Sequence, residues 1–213
     1  MAEYIITGLE PVKRKKGWFE LYVRGKPPLF VNEETILKYD LAVGLIFSEA
    51  KIKKINNDSD LAWIKYRALQ ILNRRMISER DLRKKLAIER KPASAVTDVL
   101  AQLKGYGFVD DFKYAGAYIR SQLNRGAKSR LYLKKKLWEK GINAEIAAAS
   151  IEEELGEYDE TGAVIKLARK KYKTLQKLPP DKAKNRLINF LKGRGFGWDT
   201  IRAALDETIK KDN

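Results

Sequence analysis

Along most of the chain, apolar residues recur three or four positions apart, which is the spacing of a helix with one buried face. The pattern is clearest between residues 107 and 141. There, an apolar stripe is followed by Gly126, a helix stop, and by a second stripe that begins after Ser129. The two stripes consist of Phe112, Ala115, Ile119 and Leu123, then Leu133 and Leu137. The segment therefore predicts two helices joined by a glycine turn, with Asp110 or Asp111 capping the first.

The second half of this segment recurs on both sides. Ser78 precedes Ser129 by 51 residues, and a glycine followed by an apolar residue is found at both Gly141 and Gly195. A pair of leucines recurs in three copies, namely Leu82 and Leu86, Leu133 and Leu137, and Leu187 and Leu191. Units of this kind cannot bury their apolar faces alone, so neighbouring copies complete one another's cores.

We therefore predict a mostly helical fold with three tandem repeats of three helices. The repeats span residues 59–107, 108–157 and 158–213. Their helices are expected near residues 60–75, 79–90 and 95–105, near 111–125, 130–140 and 144–155, and near 160–177, 182–193 and 198–209. Helices this short are stable only with tertiary packing.

Residues 1–58 follow a different pattern and predict a small β-rich N-terminal domain. Short runs rich in β-branched and aromatic residues favour three strands. The strands are expected near residues 4–7, 18–23 and 29–31. Asn32 is expected to cap a short helix, and a further helical piece is expected over residues 48–55. We interpret the polar run at residues 56–60 as a hinge and place the domain boundary there.

Positive charge is concentrated in the repeats. The chain carries a formal charge of +16 at pH 7, and residues 1–60 are nearly neutral, so residues 61–213 hold almost all of the excess. A basic surface attracts polyanions, which favours a nucleic acid or a nucleoprotein as the partner. Three basic runs lie at residues 83–85, 134–136 and 169–171. The first two occupy the same place in their repeats, so stacked repeats would align them in one basic track.

Eight basic residues are the candidate contacts to this partner. They are Arg83, Lys84, Lys134, Lys135, Arg169, Lys170, Lys192 and Arg194. The alternative is that these helices simply have one solvated face. The basic turn at residues 13–16 has the same two interpretations, and a solvated turn is favoured there. The acidic run that follows residue 144 either meets a basic partner or forms a solvated helix face, and the second is favoured.

The composition excludes several kinds of catalytic and metal-binding site. With no Cys and no His, the sequence offers no disulfide framework, no thiolate or imidazole catalyst and no Cys/His zinc site. Asp110 and Asp111 form either a metal-binding pair or a helix cap, and the cap is favoured. The Gly193-Arg194-Gly195 run follows a helix rather than a strand, so it is not a phosphate loop. We predict that the protein is not an enzyme and binds no cofactor.

Other features favour structural roles. The aromatic residues of the repeats either stack on bases or fill the core, and their helical spacing favours the core. They are Trp63, Tyr66, Phe112, Tyr118, Trp138 and Trp198. Three helices per repeat also suit a helix-turn-helix, but three tandem copies without a dimer signal fit that arrangement poorly. No signal peptide and no membrane span are evident, so a cytoplasmic location is expected.

Four sequence segments along the repeats, in this order, share a family pattern. They are Arg75-x-x-Ser78-x-x-Asp81-Leu82-x-x-Lys85-Leu86, Leu103-x-x-x-Gly107-Phe108-Val109-Asp110-Asp111-x-x-Tyr114-Ala115, Lys136-Leu137-x-x-Lys140-Gly141-Ile142 and Arg194-Gly195-Phe196-x-x-x-x-Ile201. With their spacing, they resemble the RecX family of bacterial regulators of the RecA recombinase. The resemblance extends from Leu61 to Leu205, and the Lys91-Pro92 pair departs from it. Residues 1–58 carry no motif of the family.

The resemblance implies an elongated, curved array of repeats that binds in the groove of the RecA filament on single-stranded DNA. It also implies inhibition of the recombinase's ATPase and of strand exchange, and thereby control of recombination and DNA repair. The expected partners are the RecA filament and single-stranded DNA, with double-stranded DNA as a further candidate, and we expect a monomer.

Two other functions are weighed against this one. The runner-up is a general basic helical-repeat protein that binds nucleic acid without a recombinase partner. A nuclease is the third alternative, but it needs clustered carboxylates that the sequence does not evidently supply. The β-rich residues 1–58 either make a second contact or cap the exposed face of the first repeat.

Overall fold

The computed structural model describes residues 3–209. The N-terminal part is a four-stranded antiparallel sheet with one short helix, α1 (Glu33–Tyr39). Its strands are β1 (Glu3–Pro11), β2 (Trp18–Val23), β3 (Leu29–Asn32) and β4 (Ile46–Ser48), in the spatial order β3-β2-β1-β4. The three predicted strands are confirmed, although β1 is longer than expected. The strand β4 was not predicted, because it has only three residues and a single buried one, Phe47.

Nine further helices follow within the described residues. The first group comprises α2 (Glu49–Leu72), α3 (Glu79–Ala87) and α4 (Ala93–Gly105). The second comprises α5 (Asp111–Leu123), α6 (Arg130–Glu139) and α7 (Ala144–Leu155). The third comprises α8 (Glu160–Lys173), α9 (Pro180–Lys192) and α10 (Trp198–Ile209). The predicted division into three groups of three helices is confirmed. None of the helices between residues 3 and 209 is long and apolar enough to cross a membrane.

The predicted caps and the leucine register are also confirmed. The side chains of Ser78 and Ser129 accept hydrogen bonds from the amides of Asp81 and Tyr132, at the starts of α3 and α6. The carboxylate of Asp110 caps α5 by accepting from two backbone amides of the first turn. Six leucines of the repeat pattern are fully buried: Leu82, Leu86, Leu133, Leu137, Leu187 and Leu191.

The predicted hinge at residues 56–60 is wrong, because the whole run lies inside α2. Neighbouring residues supply partners for several of its polar side chains. The hydroxyl of Ser59 donates to the carbonyl of Ile55, 2.7 Å away. The carboxylate of Asp58 accepts from Lys38 at 2.6 Å and from Tyr39 at 2.7 Å. Partners supplied by α1 therefore let a run with poor helix propensity continue as a helix.

Trp18 of the sheet belongs to the hydrophobic core of the first three-helix repeat, whereas the remaining buried residues of the sheet form a separate cluster with α1 and the start of α2. Trp18 of β2 packs edge-on against Trp63 of α2, with ring centroids 4.8 Å apart, and Phe30 of β3 lies 5.6 Å from the same ring. This cluster continues into buried side chains of α3 and α4, such as Leu82 and Leu100. The β-rich head therefore covers an apolar face of the first repeat.

Contact density divides the chain into two compact units, one ending at Val109 and the other beginning at Asp110. In the second unit, the second and third repeats are joined by direct hydrogen bonds. The amide of Ser129 donates to the carbonyl of Arg194 at 3.2 Å, and its hydroxyl donates to the carbonyl of Gly195 at 2.7 Å. The residue that caps α6 thus also fixes the turn after α9.

Candidate nucleic-acid interface

The first predicted basic pair lies on the middle helix of the first repeat. The guanidinium of Arg83 pairs with the carboxylate of Glu79 at 3.2 Å and donates to the hydroxyl of Thr97 at 3.0 Å. Part of its charge is therefore neutralised within the protein. Lys84 is exposed on the next position of α3. Of this pair, Lys84 is the one whose ammonium is presented to solvent.

The second predicted pair, Lys134 and Lys135, lies on the middle helix of the second repeat and is exposed. Both lysines border a groove of about 300 Å³ between α6 and α7. Within residues 3–209, neither ammonium lies within ion-pair distance of a carboxylate, whereas the next lysine, Lys136, pairs with Glu139 at 2.7 Å. Lys134 and Lys135 therefore present ammonium groups that make no direct ion pair within these residues, although the charge of Lys135 acts on the nearby carboxylate of Glu139.

In the third repeat, the predicted residues occupy two different helices. Arg169 and Lys170 lie on α8, the first helix of the repeat, and Arg169 pairs with Glu207 of α10 at 3.1 Å. Lys170 is exposed. At the end of α9, the ammonium of Lys192 lies 5.7 Å from the ring of Trp198. The register of the first two basic pairs is thus not continued by the third repeat, and a single basic track along all three repeats stays a prediction.

Arg194 lies in a more enclosed place than the other seven. Its guanidinium lies 4.5 Å from the ring of Phe190, and its buried Nη1 has no hydrogen-bond partner among the described residues. A Cβ atom on Gly126 would lie 3.4 Å from that nitrogen. Arg194 therefore packs at the junction of the second and third repeats, next to the turn between α5 and α6.

The structure places two cations beside Arg194 that the sequence analysis did not single out. Burial, with the nearby positive charges of Arg194 and Arg125, lowers the pKa of the Lys128 ammonium. None of these three cations has a carboxylate within ion-pair distance among residues 3–209. The Lys128 ammonium also lies 4.6 Å from the ring of Tyr132. Cations that repel one another in this way would be relieved by a bound anion such as a phosphate.

Sequence spacing alone could not have found this cluster, because Arg125 and Lys128 lie in a loop about seventy residues away from Arg194. Only the short run of basic residues around Gly126 gave a local signal. The hydrogen bonds of Ser129 to the turn after α9 bring the two stretches together.

The aromatic residues divide into buried and exposed groups. Trp63 is buried, and Tyr66 and Tyr118 are half-buried, as predicted. The prediction of core positions is wrong for Phe112, Trp138 and Trp198, which are 39%, 71% and 55% exposed. For Trp138 the sequence contained the reason, because it directly follows the fully buried Leu137 on a helix. Consecutive helical residues point about 100° apart, and the narrow buried face of α6 is formed by Leu133 and Leu137.

Part of the acidic run on α7 forms ion pairs within the second repeat. Glu152 pairs with Arg130 at 2.8 Å, and Glu154 pairs with Arg120. Glu145, Glu153 and Glu157 are exposed. These ion pairs agree with the favoured interpretation of the run as a solvated helix face rather than as a docking site for a basic partner.

Comparison with known proteins gives the family. Residues 110–151 match the family model described as "RecX, second three-helix domain", and residues 158–205 match "RecX, third three-helix domain". These ranges coincide with the second and third helix groups. The family models thus divide the second unit in the same way as the structure.

Full-length relatives and solved structures extend the match to the head and the first repeat. Regulatory protein RecX of Clostridium acetobutylicum is 30% identical over 100% of both chains, and that of Clostridium tetani is 29% identical over 97% of this chain and 95% of its own. A crystal structure of regulatory protein RecX has a TM-score of 0.68 at 25% identity and covers 98% of this chain and 99% of its own. The crystal structure of RecX from Lactobacillus salivarius has a TM-score of 0.62 at 20% identity and covers 72% of this chain and 99% of its own. The chain therefore belongs to the RecX family of regulatory proteins.

Proposed function

We propose that this protein is a non-catalytic regulator that binds the RecA filament on single-stranded DNA and inhibits the filament's ATPase and strand exchange. It would thereby modulate recombination and DNA repair. Membership of a family of regulatory proteins supports the regulatory role. The observation that carries the contact to a nucleoprotein is a set of cations on the second and third repeats that have no carboxylate within ion-pair distance among residues 3–209. These are Lys134, Lys135 and Lys170, together with the cluster of Arg125, Lys128 and Arg194.

The electrostatics of Lys170 and of the cluster of Arg125, Lys128 and Arg194 fit a phosphate backbone. Lysine and arginine side chains that neutralise phosphates release condensed counterions, and this release drives binding that weakens steeply with salt. Such contacts position a protein on DNA without reading its sequence. A regulator that must act anywhere along a filament needs this kind of contact.

The test is a titration of the protein into the single-stranded-DNA-dependent ATPase of RecA, at sub-stoichiometric ratios and with DNA in excess. Inhibition at a low ratio of this protein to RecA is the expected result, because a filament regulator does not need to cover the DNA. Inhibition only when the protein covers all of the DNA would contradict the proposal and leave a nucleic-acid-coating protein. Cleavage of the DNA when Mg²⁺ is added would contradict the non-catalytic role.

A charge-reversal variant assigns the contact surface. The substitutions Lys134→Glu, Lys135→Glu and Lys170→Glu should abolish the inhibition while the helix content stays unchanged. The matched control reverses three exposed lysines of α2, with the substitutions Lys51→Glu, Lys54→Glu and Lys65→Glu. Both variants change the net charge equally, so a loss confined to the first variant assigns the surface. Equal inhibition by the first variant and the unmodified protein would overturn this assignment.

A further inference from the structure

The groove between α6 and α7 is apolar although it lies on the protein surface. Leu131 and Trp138 lie two helical turns apart on α6, and each is 71% exposed. Between them and α7, the groove is lined by Ile142, Ala144 and Ala147. Small side chains on one side and large ones on the other leave a depression of about 300 Å³. We call this feature, defined by these five residues with Lys134 and Lys135, the α6–α7 groove.

The repeat architecture does not require large apolar side chains at these positions. In the first repeat, the positions of Leu131 and Trp138 are taken by Arg80 and Ala87. In the third repeat, Asn185 and Lys192 occupy them. All three middle helices nevertheless bury the same two leucines completely. The other two repeats therefore fold without a large apolar side chain at either position, and an exposed apolar patch is typical of a binding surface.

The charged groups at the groove that make no ion pair are positive. Lys134 and Lys135 lie on α6 between the two large apolar residues, and they are exposed without an ion pair in the described part of the chain. The acidic residues nearby are Glu139, which pairs with Lys136, and Glu145 at the first turn of α7. The groove thus combines an apolar depression with two available ammonium groups.

We propose that the α6–α7 groove binds the protein component of the nucleoprotein filament, through an acidic segment that carries apolar side chains. The proposal rests on the function proposed above and adds which component this surface contacts. Apolar side chains of the partner would fill the depression beside Leu131 and Trp138, and its carboxylates would pair with Lys134 and Lys135. An apolar centre with a charged rim is the usual arrangement of a protein–protein interface.

The lining of the groove fits a protein partner better than a nucleic acid. Stacking of successive bases needs a series of aromatic faces, whereas Trp138 is the one aromatic residue among the lining residues. Leucine, isoleucine and alanine offer no hydrogen bonds to base edges. Tryptophan is, in contrast, among the side chains enriched in residues that dominate protein–protein binding.

The experiment uses the full chain with two substitutions, Leu131→Asn and Trp138→Lys, which copy the residues that the third repeat carries at these positions. Because the same fold accepts them there, the variant is expected to keep its helix content and unfolding temperature. Its affinity for purified RecA without DNA should fall at least about tenfold, as expected when a central tryptophan is lost. Its affinity for oligo(dT) should not fall, since Trp138→Lys adds a positive charge. The matched control is Leu37→Asn on α1, a leucine that is 76% exposed.

Each outcome decides the proposal. Loss of RecA binding with retained oligo(dT) binding supports it, provided that Leu37→Asn binds RecA normally. Loss of oligo(dT) binding with retained RecA binding would overturn it in favour of base stacking on Trp138. Retention of both would overturn the docking site and leave the proposed function standing. If the unmodified protein binds neither free RecA nor RecA assembled on single-stranded DNA, the proposed partner is wrong and the docking site is rejected with it. The variant Trp138→Phe, which should keep most of the RecA affinity, separates loss of the apolar side chain from misfolding.

Discussion

The ammonium of Lys91 lies 2.7 Å from Oδ1 of Asp60, whose side chain is only 5% exposed. This pair explains the point at which the first repeat departs from the family pattern. In the second and third repeats, the position of Lys91 is held by Ile142 and Phe196, which are 2% and 4% exposed. The first repeat thus replaces a buried apolar contact by a buried ion pair with α2.

The first prediction follows from this pair. The substitution Lys91→Ile leaves the carboxylate of Asp60 buried without its cation, which should lower the free energy of unfolding by about 3 kcal/mol. The double variant Asp60→Leu with Lys91→Ile should recover most of the loss, because an apolar pair of similar volume removes the buried charge. Urea denaturation of both variants measures the difference. A double variant no more stable than Lys91→Ile would contradict this account of the pair.

The second prediction concerns the core shared by the sheet and the first repeat. Trp18→Ala removes the ring that packs on Trp63, and it should lower the free energy of unfolding by about 3–5 kcal/mol. The loss should be seen in the helices of the first repeat as well as in the sheet, for instance by hydrogen exchange. Trp198→Ala, at a tryptophan that is 55% exposed, is the matched control and should change stability little. A loss confined to the sheet would mean that the head does not support the first repeat.

The third prediction concerns the junction between the second and third repeats. Gly195 has a φ of +83°, and a Cβ atom there would lie 2.6 Å from Oγ of Ser129 and 2.6 Å from Cβ of Tyr132. Gly195→Ala should therefore lower the free energy of unfolding by about 2–4 kcal/mol, from backbone strain and overpacking. Gly197→Ala, where the added carbon meets nothing within 4 Å, should cost clearly less. Thermal denaturation compares the two, and equal losses would count against a tight junction.

The fourth prediction is a pH dependence at Glu79. A hydrogen bond from Lys104, 2.8 Å away, lowers the pKa of this carboxyl below its ordinary value of 4.5, and the nearby Arg83 adds to the effect. The folded state therefore holds this proton less tightly than the unfolded state. The stabilisation is complete above the ordinary pKa and is lost as the pH falls through the lowered pKa of the folded state.

The variant Glu79→Gln tests this dependence. At neutral pH it should be less stable than the unmodified protein, and the difference should shrink as the pH falls below the ordinary carboxyl pKa. Chemical denaturation across this pH range measures it. Asp98→Asn, at an exposed acidic residue on α4, is the control for the loss of one negative charge from this repeat. A stability difference for Glu79→Gln that is constant with pH would refute the assignment.

The fifth prediction separates paired from unpaired cations in DNA binding. If Lys170 contacts a phosphate, Lys170→Gln should reduce the slope of log affinity against log salt concentration by about 1. Arg169→Gln should reduce it less, because the guanidinium of Arg169 already pairs with Glu207 at 3.1 Å. Fluorescence anisotropy with oligo(dT) at several salt concentrations measures both slopes. An equal or larger change for Arg169→Gln would show that the intramolecular pair opens on binding.

Local sequence patterns determined the helices of the repeats and the residues at which they begin. The period of apolar residues predicted all nine helices of the repeats, and capping side chains such as Ser78, Ser129 and Asn143 marked where helices begin. The register of the buried leucines predicted the threefold repetition. These features depend on interactions within a few turns of one helix, so they can be read from neighbouring residues.

The tertiary structure alone decided the features that depend on residues far apart in the chain. The polar run at residues 56–60 became helical because α1 and the turn after α3 supply its partners. Arg194 joined Arg125 and Lys128 because the hydrogen bonds of Ser129 hold two distant turns together. Burial and charge pairing depend on which residues surround a side chain, and residues that are distant in sequence become its neighbours only when the chain folds.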